Sequence, residues 1–338
     1  MTPSRAGTRV GIVGAGAVGA RVARQLLSTG VDEVVLRDEL AERRDAVARS
    51  LGDGARADDG GFADPLDVDV VVLAGPAGVH VEQARAFLRR GQSVVSASDD
   101  RDDVRGLLDL DHEATERGLV VVAGAGFAPG LTCVLAAHGA ARLDRVDEIH
   151  IAKVGTGGPA CARQHHRALG RGALDWRDGG WVERSGGSGR ELCWFPDPIG
   201  AVDCYRGALA DALVLVPAFP GVQRVTARVG ATRRDRLTAR LPMLWPTHPE
   251  GGPGAVRIEL RGQREGASEV LVYGVMDRPA VAAGAVGALA VQEVLAGSVR
   301  RRGAAGLAEL FDPLPFLQEL ARRGVRAAIF EGHGSLPV

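Results

Sequence analysis

The stretch that decides the fold is residues 10–38, which read VGIVGAGAVGARVARQLLSTGVDEVVLRD. A short β-branched run leads into a turn of small residues, and apolar residues then recur at helical spacing as far as Gly30. A second β-branched run, Val34-Val35-Leu36, ends at Asp38. Strand, glycine turn, helix and strand in this order predict the first unit of a parallel sheet.

The small-residue turn has the glycine spacing of a dinucleotide site. Gly14 permits the tight turn, Gly16 lets a pyrophosphate approach the backbone, and Gly19 lets the helix pack on the strand. The helix N-terminus would then offer free N–H groups to the phosphates. We expect the cofactor to contact the whole turn, Gly14-Ala15-Gly16-Ala17-Val18-Gly19.

Asp38 lies where an acidic residue accepts hydrogen bonds from the adenosine ribose. A carboxylate there repels a 2′-phosphate, so NAD is favoured over NADP. The preceding Arg37 leaves NADP open, because a guanidinium is the group that a 2′-phosphate binds.

The pattern of predicted strands and helices changes near the middle of the chain. Strand and helix patterns alternate as far as residue 126, and alternating runs with loops follow. The sequence therefore predicts an α/β protein: a Rossmann-type doubly wound parallel sheet over residues 1–126, and an α+β substrate domain built on a mainly antiparallel sheet over 127–279. Residues 280–338 are predicted to be helical and to pack back on the first domain.

Composition narrows the class of protein. The net charge of −1 gives no electrostatic case for binding nucleic acid or membranes. The N-terminus predicts no signal peptide, so we expect a cytoplasmic protein. The apolar stretch from Ala280 to Gly297 includes Gln292 and Glu293, which favours a buried helix over a membrane span. The four scattered cysteines predict reduced thiols and no metal site.

Several motifs resemble the saccharopine dehydrogenase-like family of nicotinamide oxidoreductases. They are the glycine turn with Asp38, Val71-Val72-Leu73-Ala74-Gly75-Pro76, Val94-Val95-Ser96-Ala97-Ser98-Asp99 and Gly124-Ala125-Gly126-Phe127-Ala128-Pro129-Gly130. The resemblance is specific over about residues 8–155. It implies a Rossmann domain, NAD(H) or NADP(H), and chemistry at an amine or imine carbon of amino-acid-derived substrates.

Strand ends provide further candidate cofactor contacts, because ligands of doubly wound sheets bind at the carboxyl ends of the strands. Two such ends carry Gly75 with Pro76 and Ser98 with Asp99. Phe127 either covers the nicotinamide ring or shapes the joint between the domains.

Three residues are candidates for proton transfer. Lys153 is the only lysine among 41 basic residues, and it lies on the first predicted strand of the second domain. Burial would lower its pKa toward neutrality, where proton transfer is effective; the alternative is a surface lysine without a role. His165 and His166 titrate near neutrality, but adjacent residues do not share one face, so at most one contacts a substrate.

These observations predict an NAD(P)-dependent dehydrogenase or reductase that acts on CH–NH or C=N groups of a small amino acid, imine or oxo acid, as a dimer or another homo-oligomer. Two alternative functions fit the same residues. One is a redox-responsive NAD(P)-binding protein without turnover, and the other is a hydroxy-acid or aldehyde dehydrogenase on the same scaffold.

Overall fold

A computed structural model describes residues 7–62, 64–243 and 248–330. The first part of the chain alternates strands with helices, as the β-branched and amphipathic runs predict. Its elements are β1 (Arg9–Val13), α1 (Gly19–Ser28), β2 (Glu33–Arg37), α2 (Ala41–Leu51), β3 (Ala55–Ala57), β4 (Val70–Leu73), α3 (His80–Leu88), β5 (Ser93–Ser96), α4 (Arg101–Leu108), α5 (Asp111–Glu116), β6 (Val120–Val122) and α6 (Leu131–Ala140).

The second part is richer in strands and hairpins. Its elements are β7 (Arg145–Val154), α7 (Pro159–Ala168), β8 (Ala173–Arg177), β9 (Gly180–Arg184), β10 (Glu191–Trp194), β11 (Ala201–Arg206), α8 (Asp211–Leu215), β12 (Arg224–Gly230), α9 (Arg233–Thr238), β13 (Gly254–Arg264), β14 (Ala267–Asp277), α10 (Pro279–Ala296), β15 (Gly303–Ala305), α11 (Leu307–Leu310), α12 (Pro313–Arg322) and β16 (Ala327–Phe330).

Two sheets organise these elements. The first is fully parallel with the order β15-β6-β5-β4-β1-β2-β3, and its central strands are completely buried between helices. The second has the order β10-β11-β12-β7-β13-β14-β16, with the β8–β9 hairpin attached to β12. Its pairs are antiparallel except for β12 with β7. The predicted fold class is confirmed.

Helix α10 connects the two parts of the protein. It follows directly on β14 of the second sheet and packs along α1 of the first domain, where a Cβ on Gly284 would lie 2.5 Å from the Cβ of Arg21. Among the described residues it is the one helix long and apolar enough to cross a membrane, with a mean hydropathy of 1.5. Since 72% of it is buried inside the structure, it is part of the core.

The segment after residue 280 was predicted to be helical, but it also contains two strands. Strand β15 extends the first sheet and β16 extends the second. Neither of these two short strands is predicted from the sequence. The boundaries after residues 126 and 279 stay predictions. Helices α4 and α5 follow each other closely and are separated at Asp109 and Leu110.

Candidate active site

The glycine turn between β1 and α1 has the geometry that a dinucleotide needs. Gly14 has a φ of +105°, and a Cβ there would lie 2.4 Å from the backbone nitrogen of Gly75. A Cβ on Gly19 would lie 1.9 Å from the carbonyl oxygen of Gly14. Gly16 differs from both, because a Cβ there would meet nothing within 4 Å. The open face at Gly16, at the N-terminus of α1, leaves room for a pyrophosphate, and contact of this turn with a cofactor stays a prediction.

Asp38 lies beside this turn at the end of β2. Its Oδ2 accepts a hydrogen bond of 2.6 Å from the backbone N–H of Ala15, and its Oδ1 accepts one of 2.8 Å from that of Leu40. The guanidinium of Arg43 also pairs with it, at 2.6 Å from Nη2 to Oδ1. The carboxylate therefore fixes the turn relative to β2 and α2.

Arg37 does not reach the cofactor face. Its side chain is 2% exposed, and it donates to the carboxylate of Asp58 and to the carbonyl oxygens of Gly61, Asp64 and Pro65. A guanidinium with all of these partners has a structural role, so Arg37 is not available to bind the 2′-phosphate of NADP.

The strand-end residues predicted to contact the cofactor have different surroundings. The carbonyl oxygen of Gly75 lies 3.2 Å from Nε2 of the buried His80, which fixes the turn that contains Pro76. Ser98 is buried and donates to Asp103 at 2.8 Å, so its hydroxyl holds the start of α4. Whether they contact the cofactor stays a prediction.

Asp99, predicted as a cofactor contact, lies in a buried cluster with two predicted catalytic residues. Its Oδ2 lies 3.3 Å from Nζ of Lys153 and 2.7 Å from Nε2 of His165. The ammonium of Lys153 also donates to the carbonyl oxygen of Ala128 at 2.8 Å. The loop after β5 therefore meets β7 and α7 here, so groups from both domains form one constellation.

The opposite charges in this cluster stabilise the ionised forms of one another. Burial alone would raise the pKa of Asp99, but Lys153 and His165 hold it well below its usual range. Burial alone would lower the pKa of His165, but the neighbouring Cys161 and Asp99 raise it to about 9. Burial would likewise lower the pKa of Lys153, but Asp99 and Asp211 raise it above its usual value. The lysine is thus held protonated, and the lowered pKa predicted from burial alone is wrong for the protein without ligands.

Cys161 is the member of the cluster that sequence reasoning missed. Its Sγ lies 3.6 Å from Nε2 of His165, one helical turn away on α7, and 3.8 Å from Oδ2 of Asp99. The spacing of Cys161 and His165 in the sequence was the available signal. Ligand atoms of these three residues lie within 4.8 Å of one another, close enough for a metal ion. However, the ammonium of Lys153 already neutralises Asp99, and the absence of a metal stays a prediction.

The cluster forms one end of a cleft of about 460 Å³ between the domains. Apart from Asp99, Lys153, Cys161 and His165, the walls are apolar side chains and glycine backbone, namely Val18, Ala97, Gly126, Phe127, Ala128, Gly155, Gly157, Pro279 and Ala283. Val18 of the glycine turn and Phe127 of the domain joint thus line the same cleft. A polar end in an apolar cleft can hold a small substrate with one reacting polar group.

His166 points away from the cluster. Its Nε2 lies 2.8 Å from the carbonyl oxygen of Thr238 and 3.2 Å from that of Leu241. Because α7 turns by about 100° per residue, the two adjacent histidines face different surroundings. Of the two, His165 is the one at the cleft.

A further buried carboxylate, Asp211, interacts with the charges of the cluster, and no motif in the sequence pointed to it. It is fully buried and accepts a hydrogen bond of 2.8 Å from the hydroxyl of Thr132. Burial raises its pKa above the usual range. It contributes to the raised pKa of Lys153 without lining the cleft.

Comparisons with known proteins agree with this architecture. The family described as "NADP oxidoreductase coenzyme F420-dependent" matches residues 9–100. Over 113 residues the chain is 32% identical to an inositol 2-dehydrogenase of Mycolicibacterium gilvum (strain PYR-GCK), and the match spans 32% of each protein. The solved structure of apo saccharopine dehydrogenase (L-Glu forming) from Saccharomyces cerevisiae is similar, with a TM-score of 0.71 and 17% identity, over 96% of this chain and all of that one. An engineered D-amino acid dehydrogenase bound to NADP+ has a TM-score of 0.50 and 18% identity, over 94% and 99% of the two chains.

The chain therefore has the fold of an NAD(P)-dependent dehydrogenase. Within that class its architecture is that of saccharopine dehydrogenase, and the predicted family resemblance is confirmed at the level of the fold.

Proposed function

We propose that this protein is an NAD(P)-dependent dehydrogenase that transfers hydride to or from an amine or imine carbon of a small amino-acid-derived substrate. The observation that carries the proposal is the cluster of Lys153, Asp99 and His165 at the polar end of the cleft between the domains. The similar structure from yeast is named as a saccharopine dehydrogenase that forms L-Glu, which supports chemistry at a substituted amine.

The residues present fit a nicotinamide dinucleotide. The open face at Gly16 would hold the pyrophosphate, while Val18 and Phe127 line the cleft in which the reacting ring would lie. A bound nicotinamide supplies or accepts the hydride. The protein has to orient the substrate, exclude water and move a proton.

Lys153 and His165 are the proton donors in the proposed mechanism. Both have a raised pKa and are protonated near neutral pH, so each can donate a proton to a substrate nitrogen while its carbon is reduced. Asp99 holds the two cations in place with one carboxylate. In the oxidative direction the same groups would accept the proton. Because both groups favour their protonated forms, we expect reduction to be the faster direction near neutral pH.

A specific observation favours a second candidate, an aldehyde dehydrogenase. The thiol of Cys161 lines the cleft 3.6 Å from an imidazole, the arrangement in which a thiolate becomes a nucleophile. Its attack on an aldehyde carbon would form a hemithioacetal, and loss of hydride to NAD(P)+ would leave a thioester that water hydrolyses to an acid. The thiol proton is lost to solvent when the thiolate forms, so the hemithioacetal is an oxyanion that gives up hydride without a further proton transfer.

A single screen separates these functions. Absorbance of the reduced cofactor is followed with amino acids in one direction and with oxo acids plus amines in the other, and aldehydes form a third arm. Turnover with oxo acids plus amines supports the first proposal. Turnover with aldehydes alone, lost in Cys161→Ser and trapped by hydroxylamine as a hydroxamate, supports the second. Cofactor binding without turnover in any arm would indicate a redox-responsive binding protein.

A further inference from the structure

The carboxylate of Asp38 has no hydrogen-bonding capacity left for a ribose. Its Oδ2 accepts from Ala15 N–H and from Nε of Arg43, and its Oδ1 accepts from Leu40 N–H and from Nη2 of Arg43. A carboxylate offers about four acceptor positions, and four donors fill them here. The side chain of Asp38 is 1% exposed. A ribose hydroxyl can therefore reach it only by displacing a donor.

The group exposed at this place is the guanidinium of Arg43, on the first turn of α2. Its side chain is 44% exposed, and Nε and Nη2 are the nitrogens that bind Asp38. In this fork geometry the remaining nitrogen, Nη1, points away from the carboxylate. Because an acidic residue at the place of Asp38 typically contacts the adenosine ribose of a dinucleotide, the N–H donors of Nη1 would lie near that ribose in a bound cofactor.

The two other arginines near Asp38 form ion pairs with other carboxylates. Arg37 is 2% exposed and is held by Asp58. Arg44 is 9% exposed and pairs with Asp45 and Asp59. Arg43 is thus the guanidinium of this group that a ligand can reach.

We propose that Arg43 binds the 2′-phosphate of NADP(H) and makes this phosphorylated dinucleotide the preferred cofactor. This inference rests on the proposed dinucleotide site and reverses the preference expected from the sequence. Neutral ribose hydroxyls would have to break the ion pair between Arg43 and Asp38 and would replace it with weaker bonds. A 2′-phosphate instead meets a guanidinium that already neutralises Asp38, and it adds charge-assisted hydrogen bonds.

The test measures binding and needs no substrate. Affinities for NADPH and NADH are determined by calorimetry or by fluorescence of the reduced nicotinamide, for the parent chain and for Arg43→Ala. Adenosine 2′,5′-bisphosphate and AMP are titrated in parallel, because they isolate the adenosine end. A matched control is Arg49→Ala, which removes an exposed arginine at the other end of the same helix.

We expect the parent to bind NADPH about 10- to 100-fold more tightly than NADH, the range of a charge-assisted contact. Arg43→Ala should remove this preference by weakening NADPH and adenosine 2′,5′-bisphosphate, while NADH binds as well as before or better. Arg49→Ala should behave like the parent.

Tighter binding of NADH by the parent, or an equal loss of both cofactors in Arg43→Ala, would overturn the role of Arg43 and leave the dehydrogenase proposal intact. If neither dinucleotide binds the folded parent chain, both this inference and the proposed function fail.

Discussion

Lys153 is nearly fully buried, and among the described residues its ammonium has two hydrogen-bond acceptors, Asp99 and the carbonyl oxygen of Ala128. An ammonium has three protons to donate, so it can still donate one to a ligand in the cleft. If Lys153 donates a proton in the reaction, this site needs a lysine, in a chain whose 40 other basic residues are arginine. A branched, permanently charged guanidinium could not release a proton to the substrate.

Lys153→Met removes the charge and keeps much of the apolar stem. If Lys153 donates the proton, kcat should fall roughly 10²- to 10⁴-fold while cofactor affinity changes little. Lys153→Arg should not restore turnover, because its guanidinium stays protonated. Arg163→Met, on the exposed side of α7, is the control and should match the parent. Equal turnover in all four proteins would refute a chemical role for Lys153.

The raised pKa of His165 predicts how stability depends on pH. The surroundings of the imidazole raise its pKa to about 9 in the folded protein, from the ordinary histidine value of about 6.5 that applies when the chain is unfolded. The folded state therefore favours the protonated ring, and this stabilisation is complete below pH 6.5 and lost as the pH rises through 9.

Melting temperatures of the parent and of His165→Gln, measured from pH 6 to pH 10, check this. The difference in melting temperature between the parent and His165→Gln should become smaller as the pH rises from about 6.5 to 9. His112→Gln, at an exposed histidine of α5, should show no such trend. An advantage that is constant or grows with pH would contradict the ion pair with Asp99.

At the scale of the element, the strands and helices of the repeating βαβ pattern could be predicted, and the two short strands after α10 could not. The β13–β14 hairpin, which turns at Glu265 and Gly266, lies among the alternating runs that predict an antiparallel sheet. The predicted buried helix is α10, which ends at Gly297 in the left-handed conformation. The strands β15 and β16 have three and four residues, too few for a periodic pattern, and neighbouring strands from elsewhere in the chain determine them.

The same limit applies to the candidate site. Sequence spacing located the glycine turn, because all of its parts lie within one βαβ unit. It could not place Asp99 against Lys153 and His165, which are 54 and 66 residues away, because their meeting depends on how the domains pack. It also missed that Arg43, and not Arg37, is the accessible guanidinium, since this depends on burial alone.

The glycine turn permits a paired test at this scale. Gly16→Val puts a branched side chain into open space, so the fold should persist while the pyrophosphate is blocked. Gly14→Val puts a branched side chain against the backbone of Ala74 and Gly75, at a residue whose φ is +105°. This variant should therefore destabilise the fold itself. We expect a parent-like melting temperature with no cofactor binding for the first variant, and a lowered melting temperature for the second. Normal cofactor affinity in Gly16→Val would refute the site.

At the scale of the whole molecule, α10 connects the cleft between the domains to the helix that follows the glycine turn. Pro279 and Ala283 at its N-terminal end line the cleft, and Gly284 packs on Arg21 of α1, the helix that begins at the turn. Close approach of the two helices depends on the missing side chain at Gly284. A displacement of α10 would therefore move both the cleft wall and the phosphate-binding end of α1.

Gly284→Val tests this coupling. Even its Cβ would lie 2.5 Å from the Cβ of Arg21, so the helices must separate, and overpacking of this kind costs about 1–3 kcal/mol of the free energy of unfolding. We expect lower stability in urea and weaker cofactor binding, although no residue predicted to touch the cofactor has changed. Ala296→Val enlarges an exposed residue at the other end of α10 and should leave both quantities unchanged. If Gly284→Val loses stability but binds cofactor like the parent, the contact between α10 and α1 supports the fold without positioning the dinucleotide turn.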